Sequence, residues 1–151
     1  MVDAGRVFTH SRAHRSLDLD ACWRLLATER LGRIALSVAA LPAVVPVQYR
    51  LVGERVVVGV EDDDLYAALT DNIVAFEVDR IDGETNLGWT VLVVGRSRPA
   101  GDLSLAGFEV PGYELPGATA FPPSDRLIGI SVDRLSGLRT VESVVASQSP
   151  A

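Results

Sequence analysis

The sequence predicts a mainly β protein, an antiparallel β-barrel that carries short helices. Most of the chain consists of short apolar runs that are rich in β-branched residues and separated by turn residues, a pattern typical of strands. About five or six such runs are joined by hairpins, whereas a parallel sheet would alternate strands with helices. Closing an antiparallel sheet into a small barrel removes its unpaired edges, which favours a barrel over an open sheet.

The chain begins with a polar, basic segment, residues 1–15, which we interpret as a mobile arm or an edge segment. Ser16, Asp18 and Asp20 then supply the cap and first-turn acids of a helix. Apolar residues at helical spacing predict about ten helical residues with one apolar face: Leu19, Cys22, Trp23, Leu25 and Leu26. Gly32 follows as a stop signal.

Strands and turns fill most of the remaining chain. Gly53 and Glu54 predict a two-residue hairpin turn, and Pro46 inside a strand predicts a sheet edge or a bulge. A short helix is expected over 61–71, with acids crowded at its start, and a short edge over 136–142. The predicted strands are 33–39, 43–52, 55–60, 72–81, 89–98 and 125–135.

Residues 99–123 alternate prolines and glycines, which excludes a long helix or strand. Because Phe108, Tyr113 and Phe121 supply apolar anchors, we interpret this segment as a packed loop that either caps a pocket or covers the barrel end. The last residues look loose. The predicted organisation is therefore an arm (1–15), one domain (16–142) and a tail (143–151).

Composition excludes several classes of function. The 151 residues carry a net charge of −6, which argues against nucleic acid and against an anionic membrane as partners. No apolar run reaches the roughly 18 residues that a membrane-spanning helix needs. All 14 cationic side chains are arginine, so a P-loop and a lysine Schiff base are excluded. A single cysteine, Cys22, fits a reducing cytoplasm.

Histidine is confined to His10 and His14, which leaves the body of the chain without a base for a serine or cysteine triad. The two would form a metal pair only if the arm were helical, and a solvated tail is the simpler interpretation. No metal site and no catalytic residue are assigned.

Several motifs, in order, carry a resemblance to a known family: LGRIAL, PAVVPVQY, VAFEVD and GWTV. The chain resembles the pyridoxamine 5′-phosphate oxidase-like, FMN-binding split-barrel family, and within it the small bacterial nitroimidazole-resistance-like and flavin-nucleotide-binding members. The resemblance covers residues 17–98 and, more weakly, 124–140. It implies a six-stranded antiparallel split barrel, a two-fold homodimer, and a groove between subunits for a planar ligand, FMN.

The resemblance also implies the cofactor-binding residues. The strand around Val45, Val47, Gln48 and Tyr49 would lie along the flavin ring and bind it through its backbone, and Gln48 stands where members often carry a polar amide. Trp89 fits the tryptophan of the family and is expected either in the core or beside the flavin. Arg126 lies near the region through which the partner chain approaches the cofactor in relatives.

One segment departs from the family. Members carry threonine, serine and lysine where this chain has Val60, Asp64 and Leu65, and those residues hold the FMN phosphate in relatives. Carboxylates repel a phosphate, because one like-charge pair at 4 Å costs on the order of 4 kcal/mol at a dielectric of about 20. The acidic run 61–64 has three possible roles: helix capping, a divalent cation site, or a site for a cationic or phosphate-free ligand.

Three other side chains carry expectations. Cys22 and Trp23 are expected in the core. Glu77 interrupts an apolar strand and is expected to pair with Arg33 or Arg96 across the sheet, with proton donation as the alternative.

Two functions from different classes therefore remain. The first is an FMN-dependent oxidoreductase that acts on a small acceptor. The second is a degenerate split-barrel protein that has lost phosphate binding and takes a deazaflavin, haem, no cofactor at all, or a protein partner.

Overall fold

The computed structural model describes residues 6–100 and 126–148, and for 6–11 and 143–148 it describes the backbone alone. The predicted loop anchors Phe108, Tyr113 and Phe121 lie outside these ranges. The elements in chain order are β1 (Arg6–Ser16), α1 (Leu19–Leu26), β2 (Leu31–Val38), β3 (Leu41–Val52), β4 (Arg55–Gly59), α2 (Asp63–Ala68), β5 (Asn72–Ile81), β6 (Gly88–Pro99), β7 (Leu127–Ser131) and β8 (Arg134–Gln148).

Six of the described strands close a barrel. Their order is β6-β5-β2-β3-β4-β7, and β7 pairs again with β6, so the sheet returns to its starting strand. Every pairing is antiparallel. The structure thus confirms the predicted fold class, a six-stranded antiparallel barrel with two short helices.

The strand predicted over 125–135 is divided in two. β6 pairs with β7 over residues 97–99 and with β8 over residues 88–94, so the chain leaves the barrel between the two strands. Gly95 lies at this junction, where an added Cβ would come 1.5 Å from the carbonyl oxygen of Ser131. Only glycine fits there, because any side chain would overlap the backbone of β7.

Strands β1 and β8 pair outside the barrel, with Arg6 opposite Gln148 and Ser16 opposite Leu138. β1 is the edge strand of the sheet, which agrees with the edge-segment interpretation of the first residues. Residues 143–148, expected to be loose, belong to β8 and are paired with β1, which offers them backbone partners. The division into arm, domain and tail stays a prediction.

The core fills the barrel interior. Residues at alternate positions of β2, β5 and β6 are buried and point inward, as the period of two requires. Tyr49 and Phe76 are its largest fully buried side chains, and their rings meet edge to face with centroids 4.9 Å apart. Gly32 faces the Phe76 ring, and an added Cβ would lie 2.5 Å from it.

Helix α1 closes one side of this core. The Asp18 side chain accepts a hydrogen bond from the Ala21 N–H at 2.7 Å, which confirms the expected cap. Cys22 and Leu26 are fully buried, and burial raises the pKa of the Cys22 thiol. Leu19 differs from the expectation: it is the first residue of the helix and is 61% exposed. Within the described residues no helix has the length and hydrophobicity to span a membrane.

The two-residue hairpin turns after β2 and after β3 use left-handed backbone. Gly53 has φ +60° between the paired residues Val52 and Arg55, as the two-residue turn requires. The β2–β3 hairpin places Ala39 (φ +49°) and Ala40 (φ +63°) in the same region, which costs alanine roughly 1–2 kcal/mol per residue.

The strained alanine turn generates a first prediction. Replacing Ala39 with Asn and Ala40 with Gly supplies the residues that a two-residue turn with positive φ favours. We expect the free energy of unfolding to rise by about 1 kcal/mol, measured by urea denaturation. The matched control is Gly53→Ala, which has no neighbouring atom within 4 Å of its added Cβ. Gly53→Ala should lower the free energy of unfolding by about 1 kcal/mol, because alanine disfavours the positive φ of this position. Changes of the same sign in the two variants would contradict the argument.

A second prediction concerns the buried hydroxyl of Tyr49, which donates to the carbonyl oxygen of Leu26 at 2.5 Å. Tyr49→Phe leaves that carbonyl without its partner, so we expect a loss of about 1–3 kcal/mol of unfolding free energy. Tyr66→Phe is the control, because Tyr66 is only partly buried, and it should change stability by less than about 0.5 kcal/mol. Similar losses in both variants would contradict a specific role for the Tyr49 hydroxyl.

Candidate functional site

Strand β3 has one open edge. It pairs with β2 over residues 41–48 but with β4 only over residues 49–52. Within the described ranges, therefore, residues 41–48 have a strand partner on one side alone. A free strand edge is a row of donors and acceptors that a ligand or another chain can use.

The direction of the backbone groups on this edge follows from one hydrogen bond. The Tyr49 N–H donates to the carbonyl oxygen of Arg30 at 2.9 Å, toward β2. Because backbone groups alternate along an antiparallel strand, Val44 and Gln48 direct their N–H groups to the other side. Pro42 and Pro46 occupy the remaining positions of that type, where their missing N–H leaves the β2 ladder intact. The edge predicted from Pro46 is confirmed, without a bulge.

The four predicted β3 residues lie on two faces of the strand. Val47 and Tyr49 are buried and point into the barrel, and Val45 packs partly against the same core. Gln48 points outward and is partly exposed. A ligand at this edge can therefore meet the backbone of β3 and the Gln48 amide, whereas the Tyr49 hydroxyl is already bonded to Leu26.

The acidic run lies at the start of α2 and has structural partners. The Asp62 side chain accepts from the Leu65 N–H at 2.7 Å, which confirms the capping role. Asp63 pairs with Arg126 at 2.5 Å, and Asp64 is exposed. The described residues contain no group of three or more potential metal ligands placed to share an ion.

The other two predicted cofactor residues, Arg126 and Trp89, do not belong to β3. Arg126 reaches α2, where its guanidinium carbon is 5.4 Å from the centroid of the Tyr66 ring. Trp89 begins β6 and belongs to the barrel core, with 7% of its surface exposed. The structure thus brings Arg126 to the acidic run and leaves Trp89 in the core, and their contacts with a cofactor stay predictions.

The outer face of β2 and β5 carries a charged cluster. Arg33 donates to Glu77 at 2.8 Å and lies 3.5 Å from Asp79, which confirms the expected cross-strand pair. Partial burial raises the pKa of the Glu77 carboxyl, although the Arg33 hydrogen bond opposes that shift. Arg96, the other expected partner, pairs with Asp71 at 2.6 Å.

A helical arm, the condition for a metal pair of His10 and His14, is contradicted by the structure. Residues 10 and 14 belong to strand β1, and four residues of strand span about 13 Å, too far for one metal ion. The His14 ring nitrogen instead lies 3.4 Å from the Thr140 hydroxyl.

Sequence reasoning missed one group of side chains, the arginines at positions 55, 96 and 98. They line a common cavity because β4 and β6 both pair with β7. No local spacing signals that pairing, since β7 is distant from both strands along the chain.

Comparisons with known proteins agree with this architecture. The pyridoxamine 5′-phosphate oxidase family model matches residues 18–105. The uncharacterized protein Rv0080 of Mycobacterium tuberculosis is 35% identical over 92 residues, which are 57% of this chain and 60% of that protein.

Solved structures of other proteins have a similar fold. The FAD binding protein from Mycobacterium smegmatis is 25% identical with a TM-score of 0.61, covering 84% of this chain and 98% of that one. The FAD and heme binding protein from the same organism is 17% identical with a TM-score of 0.62, covering 90% and 87%. The family match spans more than half of the sequence, and the chain therefore belongs to the pyridoxamine 5′-phosphate oxidase-like family of split-barrel proteins.

Proposed function

We propose that the protein is a flavin-binding oxidoreductase that acts on a small acceptor, with the flavin ring along the open edge of β3. The observation that carries the proposal is the one-sided pairing of residues 41–48, which directs the Val44 and Gln48 N–H groups away from β2. The carbonyl oxygens of a flavin ring accept hydrogen bonds from such backbone N–H groups, and its imide N–H donates to the backbone carbonyl oxygens on the same edge. The FAD-binding relative at 25% identity supports a flavin-type ligand.

The chain fits the two ends of a flavin mononucleotide differently. The β3 edge supplies donors, acceptors and the Gln48 amide for the ring. Within the described part of the chain, the cation that reaches the α2 start is Arg126, and Asp63 is already paired with it. A phosphate held at α2 does not fit this charge pattern, so the flavin would be held mainly by its ring.

A bound flavin supplies the electron transfer, and the protein supplies binding and orientation. In this chain the β3 backbone would hold the ring edge, and Gln48 would select its polar atoms. The scarcity of histidine and the absence of lysine suit this division of labour, because the side chains need not move a proton.

A specific observation favours the second candidate function. Asp62, Asp63 and Asp64 stand where the family resemblance implies a phosphate site. A degenerate member that binds a deazaflavin, haem, no cofactor or a protein partner accounts for those carboxylates. The two candidates differ in whether FMN binds tightly.

We further propose a two-fold homodimer. The outer sheet face exposes Leu31, Val44, Leu92 and Leu138 at 52%, 65%, 38% and 49%. Apolar residues on one sheet face are typical of a homodimer interface, and the paired Arg33 leaves few uncompensated charges among them. Nucleic acid and membrane are not expected partners. A cytoplasmic location is favoured by the lone buried thiol of Cys22.

A third prediction separates the two candidate functions. The double change Asp64→Ser with Leu65→Lys replaces a carboxylate with a hydroxyl and adds a cation at the position where the family resemblance implies a phosphate site. We expect FMN affinity to rise about tenfold, the effect of one charge-assisted hydrogen bond. The measurement is FMN titration followed by flavin fluorescence, with FAD and haem titrated in parallel.

Glu84→Lys is the matched control, because it changes the net charge equally in an exposed turn away from α2. It should leave FMN affinity unchanged. Tight FMN binding by the natural sequence without gain in the double variant would exclude the degenerate candidate. No flavin binding by either protein would exclude the oxidoreductase.

A fourth prediction tests the homodimer. Leu92→Asp places a carboxylate on the outer face opposite Glu77, so we expect the dimer mass to give way to the monomer mass in native mass spectrometry. Leu19→Asp, an exposed change on α1, should leave the dimer intact. A monomeric natural protein at micromolar concentration would contradict the proposal.

A further inference from the structure

A row of cationic residues crosses the barrel on the side formed by β6, β7 and β4. The Arg96 backbone N–H donates to the Ser131 hydroxyl, and Ser131 pairs with Arg55 across β7 and β4, so Ser131 lies between the two arginines. Arg98 follows two residues after Arg96 on the same outward face, opposite Gly129. Directly paired residues have Cα atoms roughly 4.5–5.5 Å apart, which brings the guanidinium groups within reach of one small ligand.

Arg55 is the unusual member of this row. It is partly buried, yet its guanidinium forms no hydrogen bond or ion pair with the described residues. Arg96 and Arg98 share one carboxylate, Asp71, at 2.6 and 4.0 Å. The ion pair with Arg96 lowers the pKa of Asp71, so the carboxylate stays charged and compensates one arginine.

Two adjoining cavities meet at Arg55. The smaller, about 330 Å³, is lined by Arg55, Arg96 and Arg98 with one carboxylate, Asp133. The larger, about 560 Å³, shares Arg55 and Asp133 and continues over an apolar wall of Leu19, Trp23, Val132 and Leu135, with Glu54 at its other side. These volumes are typical of small-molecule sites.

None of the residues predicted to bind the flavin lines either cavity. The six predicted residues, Val45, Val47, Gln48, Tyr49, Trp89 and Arg126, belong to β3, to the core and to the α2 start. The cavities therefore form a separate place on the barrel and go beyond the proposed function.

We propose that this pair of cavities binds a small organic oxyanion, a phosphate or carboxylate joined to an aromatic or aliphatic body. The oxyanion lies among Arg55, Arg96 and Arg98, because guanidinium groups bind such oxygens with two parallel hydrogen bonds. The body lies along Trp23 and Leu135. The three guanidinium groups face the lining carboxylate Asp133 and the ion-paired Asp71, which leaves the smaller cavity with one net positive charge in a chain whose net charge is −6.

The exposed Leu19 has a role in this site. Its 61% exposure is unusual for a leucine on the apolar face of α1, and its side chain forms part of the cavity wall. A ligand body in the larger cavity would cover it. The proposal thus accounts for the one position at which α1 departs from its amphipathic pattern.

Isothermal titration calorimetry at low ionic strength tests the site with four probes: phenyl phosphate, benzoate, inorganic phosphate and benzyl alcohol. We expect one of the two aromatic anions to bind at least about tenfold more tightly than inorganic phosphate and than benzyl alcohol. The tighter aromatic anion identifies the oxyanion as phosphate or carboxylate. An absence of binding by both overturns the proposal.

Variants assign the binding to this place. Arg55→Gln should lower the affinity for the tighter-binding aromatic anion at least about tenfold. Leu19→Ala should lower the same affinity while leaving the affinity for inorganic phosphate unchanged. Arg80→Gln is the matched control, because Arg80 is an exposed arginine paired with Glu29 outside both cavities. The proposal is overturned if Arg80→Gln lowers the affinity for the aromatic anion as much as Arg55→Gln does, or if Arg55→Gln leaves that affinity unchanged. FMN titration of the Arg55→Gln variant should give the affinity of the natural protein, which separates this site from the proposed flavin edge.

Discussion

The double pairing of β7 with β4 and with β6 is the constraint on which the rest of this structure depends. It closes the six-stranded ring, and every backbone group of a closed ring has a strand neighbour wherever the strands overlap. Closure also encloses Tyr49, Phe76 and the apolar residues around them. The same pairing forces the chain out of the barrel after Ser131, where Gly95 permits the close approach of two strands.

The proposed flavin edge exists because closure is incomplete along β3. β4 is too short to follow β3 beyond Tyr49, so residues 41–48 keep one unpaired side. Two prolines on that side remove donors that would otherwise attract a further strand. In the proposed flavin site, binding of the ring is separable from binding of the phosphate, because the first would depend on a strand edge and the second on the side chains at the start of α2. The acidic run alters only the second.

Charge is distributed unevenly over the barrel. The carboxylates at α2 and the paired cluster at Arg33 compensate arginines locally, whereas Arg55 has no such partner among the described residues. Because all the cationic side chains are arginine, each retains its charge at any accessible pH and each can bind an oxyanion at two oxygens. The oxyanion site proposed over β7 therefore does not depend on titration of its arginines.

The sequence by itself determined the class of the fold, most strand positions, the caps Asp18 and Asp62, the edge position of Pro46 and the family. These follow from local rules, since strand alternation, turn residues and capping each depend on residues a few positions apart. Tertiary structure alone decided the division of the last strand, the pairing of residues 143–148, the exposure of Leu19 and the meeting of Arg55 with Arg96 and Arg98. Each of these depends on which distant strands become neighbours, and barrel closure sets that relation only when the whole chain has folded.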